Sequence, residues 1–270
     1  MKKIRIAILG GGNIGTSLAK GLVNSNQAKP SDILITDKRE SRLDYLNYEG
    51  FMAIPDNREA VRKADIIVLS VKPQQFGELS ADIKGKTGKN ALLISTVTGV
   101  YLKDIESVLG KIPMVRIMPN TALEICESMT CMTFKNCSAE QEKLVTGIFE
   151  KLGRVILIPE ELMSAATVIG ACGIAFALRF MRAMSQGGIE IGFNSEMSQL
   201  ITAQTVKGAS RLILETSNHP ESEIDKVTTP QGITISGLNE MEHQGLSSAV
   251  IRGLTTSFNK VENLAARSGK

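Results

Sequence analysis

The stretch "ILGGGNIGTSLAKG", residues 8–21, decides how the first half of the chain is read. A short apolar run ends in glycine, and Gly10, Gly12 and Gly15 stand in G-x-G-x-x-G spacing where a helical pattern opens. Alone, that spacing is a weak signal, because glycine-rich turns are common. Its setting gives it weight. The run before it reads as the first strand of a βαβ unit, and a second strand, "ILIT" (33–36), ends about 20 residues further on. In such a turn Gly10 permits the tight bend and Gly12 lets backbone amides approach a pyrophosphate. Gly15 lets the helix pack close to the sheet. The helix N-terminus then favours the phosphate charge.

Outward from that turn, short β-branched runs alternate with helical segments. "IRIAIL" (4–9), "ILIT" (33–36), "IIVLS" (66–70), "LLIS" (92–95), "MVRIM" (114–118) and "RVILI" (154–158) read as strands, with "TCMTF" (130–134) a weaker one. Most are continuous apolar runs, as a parallel sheet covered on both faces requires. Ser138 and Gln141 form a capping-box pattern that starts a helix. The alternation predicts a doubly wound α/β domain over residues 1–159.

After Pro159 the strand-like runs stop, and residues 160–270 read as a second, all-α domain. One helix is predicted over about 161–190, another over about 195–216, with two more towards the C-terminus. "LMSAATVIGACGIAFAL" (162–178) carries no charge. It is shorter than the roughly 20 residues that a membrane helix needs, so a helix buried on all sides, in a large core or at a subunit interface, is the expectation. A homodimer through the helical half is expected, alone or within a higher oligomer, in a soluble protein with no membrane partner.

Composition narrows the function classes. The 31 basic and 28 acidic residues are interspersed and leave a formal charge of +3, so no basic stripe marks a nucleic-acid partner. The start, "MKKIRIAILGGG", runs too soon into glycine for a signal peptide and reads as a strand. Cys126, Cys131, Cys137 and Cys172 lack C-x-x-C spacing, and His219 and His243 lie far from them in sequence, so no metal site is expected. Free thiols point to a reducing, cytoplasmic setting. His219, before Pro220, suits a turn or cap; His243, among Glu240, Glu242 and Gln244, suits a solvated helix face.

Two stretches carry candidate chemistry. At the end of the second strand, in "ITDKRES", Asp37 suits the ribose 2′-hydroxyl of NADH, whereas Lys38 and Arg39 suit the 2′-phosphate of NADPH. The balance leans to NADPH and leaves NADH open. The other stretch is "DKVTTPQGITISGL", residues 225–238. Thr229 as N-cap, with Pro230 at the first helical position, explains it as a plain helix start.

Several motifs, taken together, resemble the pyrroline-5-carboxylate reductase family. They are "ILGGGNIG" (8–15), "ADIIVLSVKP" (64–73), "VTGV" (97–100), "VRIMPNT" (115–121), "ETSNHP" (215–220) and "DKVTTPQGITI" (225–235), in order over nearly the whole chain. The resemblance implies a Rossmann domain followed by a helical dimerisation domain. It implies reduction of the C=N bond of 1-pyrroline-5-carboxylate to L-proline by NAD(P)H. Cofactor contacts are expected from Gly10, Gly12, Asn13, Ile14, Gly15, Asp37, Lys38, Arg39, Asn57, Val71, Lys72, Pro73, Met118, Pro119 and Asn120. Substrate contacts are expected from Thr228, Thr229, Gly232, Ile233 and Thr234, with Thr234 and Lys72 the catalytic candidates. A carboxylate substrate gives the 225–238 stretch a second reading, in which the amides of Gln231, Gly232 and Ile233 cradle the anion and Thr234 bonds the ring nitrogen.

The chain also departs from the family. Gln231 stands where a glycine is frequent, and Ala122 replaces a proline. In "GACGIAF" (170–176) Ile174 and Phe176 stand at proline and tyrosine positions, and Arg182 replaces an acid. Two alternatives stay open. One is a hydroxy-acid dehydrogenase, for which Lys207 is the candidate base. The other is a cofactor-binding regulator without turnover.

Overall fold

The computed structural model describes residues 4–268. Its first unit is built on eight strands among the described residues: β1 (Ile6–Leu9), β2 (Ile33–Thr36), β3 (Met52–Ile54), β4 (Ile66–Leu69), β5 (Leu92–Ser95), β6 (Met114–Met118), β7 (Ser128–Lys135) and β8 (Gly153–Leu157). They form one sheet in the order β3-β2-β1-β4-β5-β6-β7-β8. Pairing is parallel from β3 through β6. β7 then runs antiparallel to β6 and parallel to β8. The helices that accompany the sheet are α1 (Asn13–Asn24), α2 (Glu40–Tyr48), α3 (Asn57–Val61), α4 (Phe76–Ile83), α5 (Leu102–Leu109) and α6 (Ala139–Glu150).

Period-2 alternation explains why the central strands are apolar throughout. In β1, Ile6 and Ile8 enter one core and Ala7 and Leu9 the other. β4 divides likewise, Ile66 and Val68 against Ile67 and Leu69. Each fully buried Ile, Leu or Val stabilises the fold by about 1.5–3 kcal/mol relative to exposure. The six strands read as continuous runs are present within a residue or two of their sequence bounds. Two details differ. β3, three residues long, was not predicted at all. β7 extends from Ser128 to Lys135 rather than covering only 130–134.

The helical half contains α7 (Met163–Ala166), a π-helical turn (Thr167–Cys172), α8 (Gly173–Glu190), α9 (Ser195–Thr216), α10 (Pro220–Asp225), α11 (Ile233–His243) and α12 (Leu246–Ser268). Two compact units result. One runs to Cys172 and takes in the chain from Ser257; the other is Gly173–Thr256. This division falls later than Pro159, because the segment after Glu160 packs on the sheet: Met163 shares a small core with Met118 and Cys131.

The expectation of an apolar helix covered on all sides is not met within one chain. No residue of α8 is buried, and Ile169, Phe176, Leu178 and Phe180 are exposed. α9 lies against one side of it, where the Ser198 hydroxyl donates to the Ser185 carbonyl at 2.7 Å, and the rest of its apolar surface is open. From Glu160 to Glu190 the helix spans 31 residues, so by length and composition it is long and apolar enough to cross a membrane.

Candidate functional site

The chain visits β1, β2 and β3 in one direction and β4, β5 and β6 in the other. The switch point of such a sheet, beyond the carboxyl ends of β1 and β4, is where open α/β folds bind ligands. A cavity of about 260 Å³ opens there, lined by Gly10 and Gly12 after β1, Thr36–Arg39 after β2, and Ser70, Val71 and Lys72 after β4. Asn57, Gln75 and Leu79 complete it.

Each glycine of the turn has its own geometric reason. Gly10 has φ +112°, and a Cβ there would lie 2.2 Å from the Ser70 carbonyl oxygen. A Cβ on Gly15 would lie 2.1 Å from the Gly10 carbonyl oxygen, so this glycine permits the close seat of α1 on β1. A Cβ on Gly12 would meet nothing within 4 Å among the described residues. It would enter the cavity itself. Gly12 is also the N-cap of α1, and no side chain among the described residues caps the first-turn amides. Open space over unpartnered amides at a helix N-terminus fits a pyrophosphate, so the residues present suit a dinucleotide.

The charges in the loop after β2 are paired. The Arg39 guanidinium donates to both Asp37 oxygens, at 2.9 and 3.0 Å. Burial alone raises the Asp37 carboxyl, but the Arg39 hydrogen bonds and charge outweigh it and hold the group below its usual range. Lys38 is ion-paired with Glu78. The Thr36 hydroxyl donates to Asn57 Oδ1 at 2.6 Å, and Asn57 Nδ2 reaches Asp82 at 3.4 Å. Lys72 is exposed at the rim.

Sequence reasoning missed Arg42. From the first half of α2 its Nε donates to the Gly11 carbonyl and its Nη2 to the Thr16 hydroxyl at 2.7 Å. The Thr16 hydroxyl itself reaches the Gly11 carbonyl at 3.2 Å. Arg42 thus holds the glycine turn in shape from outside the motif. Its guanidinium also stacks over Tyr45, 4.6 Å from the ring centroid.

Other expected contacts lie outside the cavity lining. Asn13 and Ile14 begin α1, Gly15 faces the sheet, and Pro73 starts the turn after β4. Met118 is buried in a small core. Asn120 is committed structurally: its Oδ1 accepts from Ala122 N at 3.0 Å and its Nδ2 donates to the Gly170 carbonyl at 2.9 Å.

The cap expected at Thr229 and Pro230 is not the one observed. α11 starts at Ile233, with Gly232 as N-cap and no capping side chain. Thr229 to Gly232 form a turn closed by the Gly232 amide on the Thr229 carbonyl at 2.9 Å. Gln231 takes φ +57° within it, which interrupts any helix from Pro230. The Gly232 amide is therefore engaged, which leaves the amides of the first turn of α11, from Ile233 and Thr234, as the ones without a capping side chain. Gly232 is needed because a Cβ would come within 2.5 Å of the Thr229 hydroxyl. The Thr228 hydroxyl donates to the Asp225 carbonyl at 3.2 Å, and the Ile233 side chain is 96% exposed.

The remaining sequence candidates are quickly placed. His219 caps α10 through Nδ1, which accepts from Glu221 N at 3.3 Å, and His243 is exposed in the last turn of α11. Lys207 is exposed in the middle of α9. The four cysteines are free thiols, and no metal-binding cluster occurs among the described residues.

Sheet order, switch point and glycine turn define a Rossmann-type oxidoreductase that uses a dinucleotide. Comparisons with known proteins narrow this class. Residues 160–264 match the family model described as pyrroline-5-carboxylate reductase dimerisation, and residues 5–99 match that of NADP oxidoreductase, coenzyme F420-dependent. Pyrroline-5-carboxylate reductase 2 of Dictyostelium discoideum is 42% identical, over 98% of this chain and 94% of that protein. Reductase 1 of the same organism is 45% identical over 96% of this chain, but the chain spans only 49% of its length. The crystal structure of Plasmodium falciparum pyrroline carboxylate reductase with NADP bound superposes with a TM-score of 0.88, at 27% identity, over 98% of this chain and 99% of that one. This chain belongs to the pyrroline-5-carboxylate reductase family.

Two substitutions test the site. Gly12→Val leaves folding intact, since its side chain enters open space, and weakens NADPH binding at least about tenfold, or 1.4 kcal/mol; unchanged affinity by calorimetric titration contradicts the placement. Arg39→Ala exposes an uncompensated Asp37 carboxylate to the cavity, so the KM for NADPH rises about tenfold while that for NADH changes less than about threefold. Equal losses for both nucleotides rule out Arg39 as the discriminating cation.

Proposed function

We propose that this protein reduces 1-pyrroline-5-carboxylate to L-proline with NADPH as hydride donor. The observation that carries the reading is similarity to reductases of this name over nearly the whole chain, together with a cavity of about 260 Å³ at the switch point of the sheet. When bound, the nucleotide supplies the hydride. What the chain supplies is binding and alignment.

At the nucleotide end, the first-turn amides of α1 hold the pyrophosphate and Lys72 adds a cation at the rim. Arg39, with Lys38 beside it, receives the 2′-phosphate, while Asn57 and Asp37 border the adenosine ribose. At the substrate end, the amides at Ile233 and Thr234 bind the carboxylate, helped by the positive end of the helix dipole. No acidic residue occupies the first turn of α11 to oppose an anion. The Thr234 hydroxyl bonds the ring nitrogen, and Thr228 and Thr229 shape the turn behind it.

The working unit is a homodimer formed through residues 160–264. Support comes from the dimerisation family model over those residues and from the apolar surface they expose. Within Gly173–Thr256 an apolar groove of about 1020 Å³ is lined by Phe180, Met184, Ile191, Phe193 and Leu246 among others. Covering this surface with a second copy also accounts for the apolar helix Glu160–Glu190 in a soluble, cytoplasmic enzyme.

The test is NADPH and NADH oxidation with pyrroline-5-carboxylate against a panel of hydroxy acids. Turnover with the cyclic imine is expected; turnover with a hydroxy acid alone, or nucleotide binding without any turnover, contradicts the proposal. Within the same assay Thr234→Ala lowers kcat about tenfold or more and leaves the Kd for NADPH within about twofold. A large loss of NADPH affinity instead assigns the loop to the wrong ligand.

A further inference from the structure

Arg116 has the largest side chain among the fully buried residues, with 1% of its surface exposed. It projects from β6, two residues before Met118. Its Nη1 donates to Glu160 Oε1 at 3.1 Å, and its guanidinium lies 4.8 Å from the centroid of the Tyr101 ring. Its Nε is buried and has no hydrogen-bond acceptor among the described residues. Stability alone gives no reason for such a group. A buried ion pair is often matched or bettered by apolar residues of similar volume, and an unpaired buried donor adds a further cost.

What the pair does achieve is geometric. The same Oε1 of Glu160 accepts from Leu102 N at 2.7 Å. One carboxylate oxygen therefore ties three segments together: β6, the first turn of α5 after the 97–100 loop, and the start of the Glu160–Cys172 segment. A second tie joins two of these further along, where Asn120 Nδ2 donates to the Gly170 carbonyl inside the π-helical turn. Both tied loops leave the carboxyl ends of β5 and β6, the edge of the sheet on which the nucleotide cavity opens at β1 and β4.

We infer that Arg116 and Glu160 are positioning residues for the reductase. Buried Arg116 and partly exposed Glu160 hold the β5–α5 and β6 loops, which leave the same sheet edge as the nucleotide cavity, and through them align the reacting end of the dinucleotide. The inference rests on the function proposed above and touches neither nucleotide nor substrate directly. Neither residue lines the cavity at β1 and β4, so the pair sets alignment rather than nucleotide affinity.

The deciding variant is Arg116→Met combined with Glu160→Leu, which removes both charges and keeps apolar volume. It is expected to fold and to bind NADPH with a Kd within twofold of the parent. Its kcat with pyrroline-5-carboxylate is expected to fall at least tenfold, and the fluorescence of bound NADPH to differ from that of the parent, because the wall around the dihydronicotinamide has moved. Glu160→Gln, which keeps an acceptor for Leu102 N but loses the charge, serves if the double variant does not fold, with a kcat loss of at least threefold expected. Parent kcat and parent NADPH fluorescence in the folded variant overturn the inference. An inactive parent protein overturns the functional reading instead, and the NADPH fluorescence comparison still decides the role of the pair.

Discussion

The nucleotide end of this fold depends on backbone meeting backbone. At Gly10 the chain leaves β1 so close to the end of β4 that a single Cβ would strike the Ser70 carbonyl, and at Gly15 the first turn of α1 presses on the carbonyl of Gly10. No rotamer relieves either contact, since the obstructing atoms are main chain. These approaches bring the N-terminus of α1 over the switch point with its amides exposed. Arg42 completes the arrangement from the neighbouring helix by bonding the Gly11 carbonyl and the Thr16 hydroxyl.

Electrostatics differ between the two loops proposed to bind ligands. In the loop after β2 the cations are matched with acids, Arg39 with Asp37 and Lys38 with Glu78. Arg39 neutralises the Asp37 carboxylate that lines the cavity. Near the substrate loop the positive character comes from main chain, because Gly232 caps α11 without a side-chain acceptor. Gln231 takes a left-handed φ where the family often has glycine, at a cost of about 1–2 kcal/mol. That residue closes the turn which moves the helix start from Pro230 to Ile233.

Much of this was legible in the sequence. Period and composition marked the central strands, because strands buried on both faces cannot disguise their apolar run, and α9 was readable from its helical periodicity. Local caps were readable too: Ser138 and Gln141 exchange the hydrogen bonds that their spacing suggests. Failures came where structure is set at long range or in very short elements. Three residues of β3 carry no periodicity. The partners Arg116 and Glu160 lie 44 residues apart, and Arg42 reaches back 31 residues to Gly11. The Thr-Pro pair at 229–230 looked like a helix cap because the sequence does not display the positive φ of the residue after it. The apolar helix after Pro159 was recognised, but a single chain does not supply what covers it.

The reaction proposed for this chain is hydride delivery from NADPH to a cyclic imine. Turnover with NADPH deuterated at the transferred C4 position tests it most directly, with the product analysed by mass spectrometry and NMR. One deuterium per proline, located on the ring Cδ that was the imine carbon, is the expected result. Proline without label, or oxidised nucleotide with no proline formed, contradicts it.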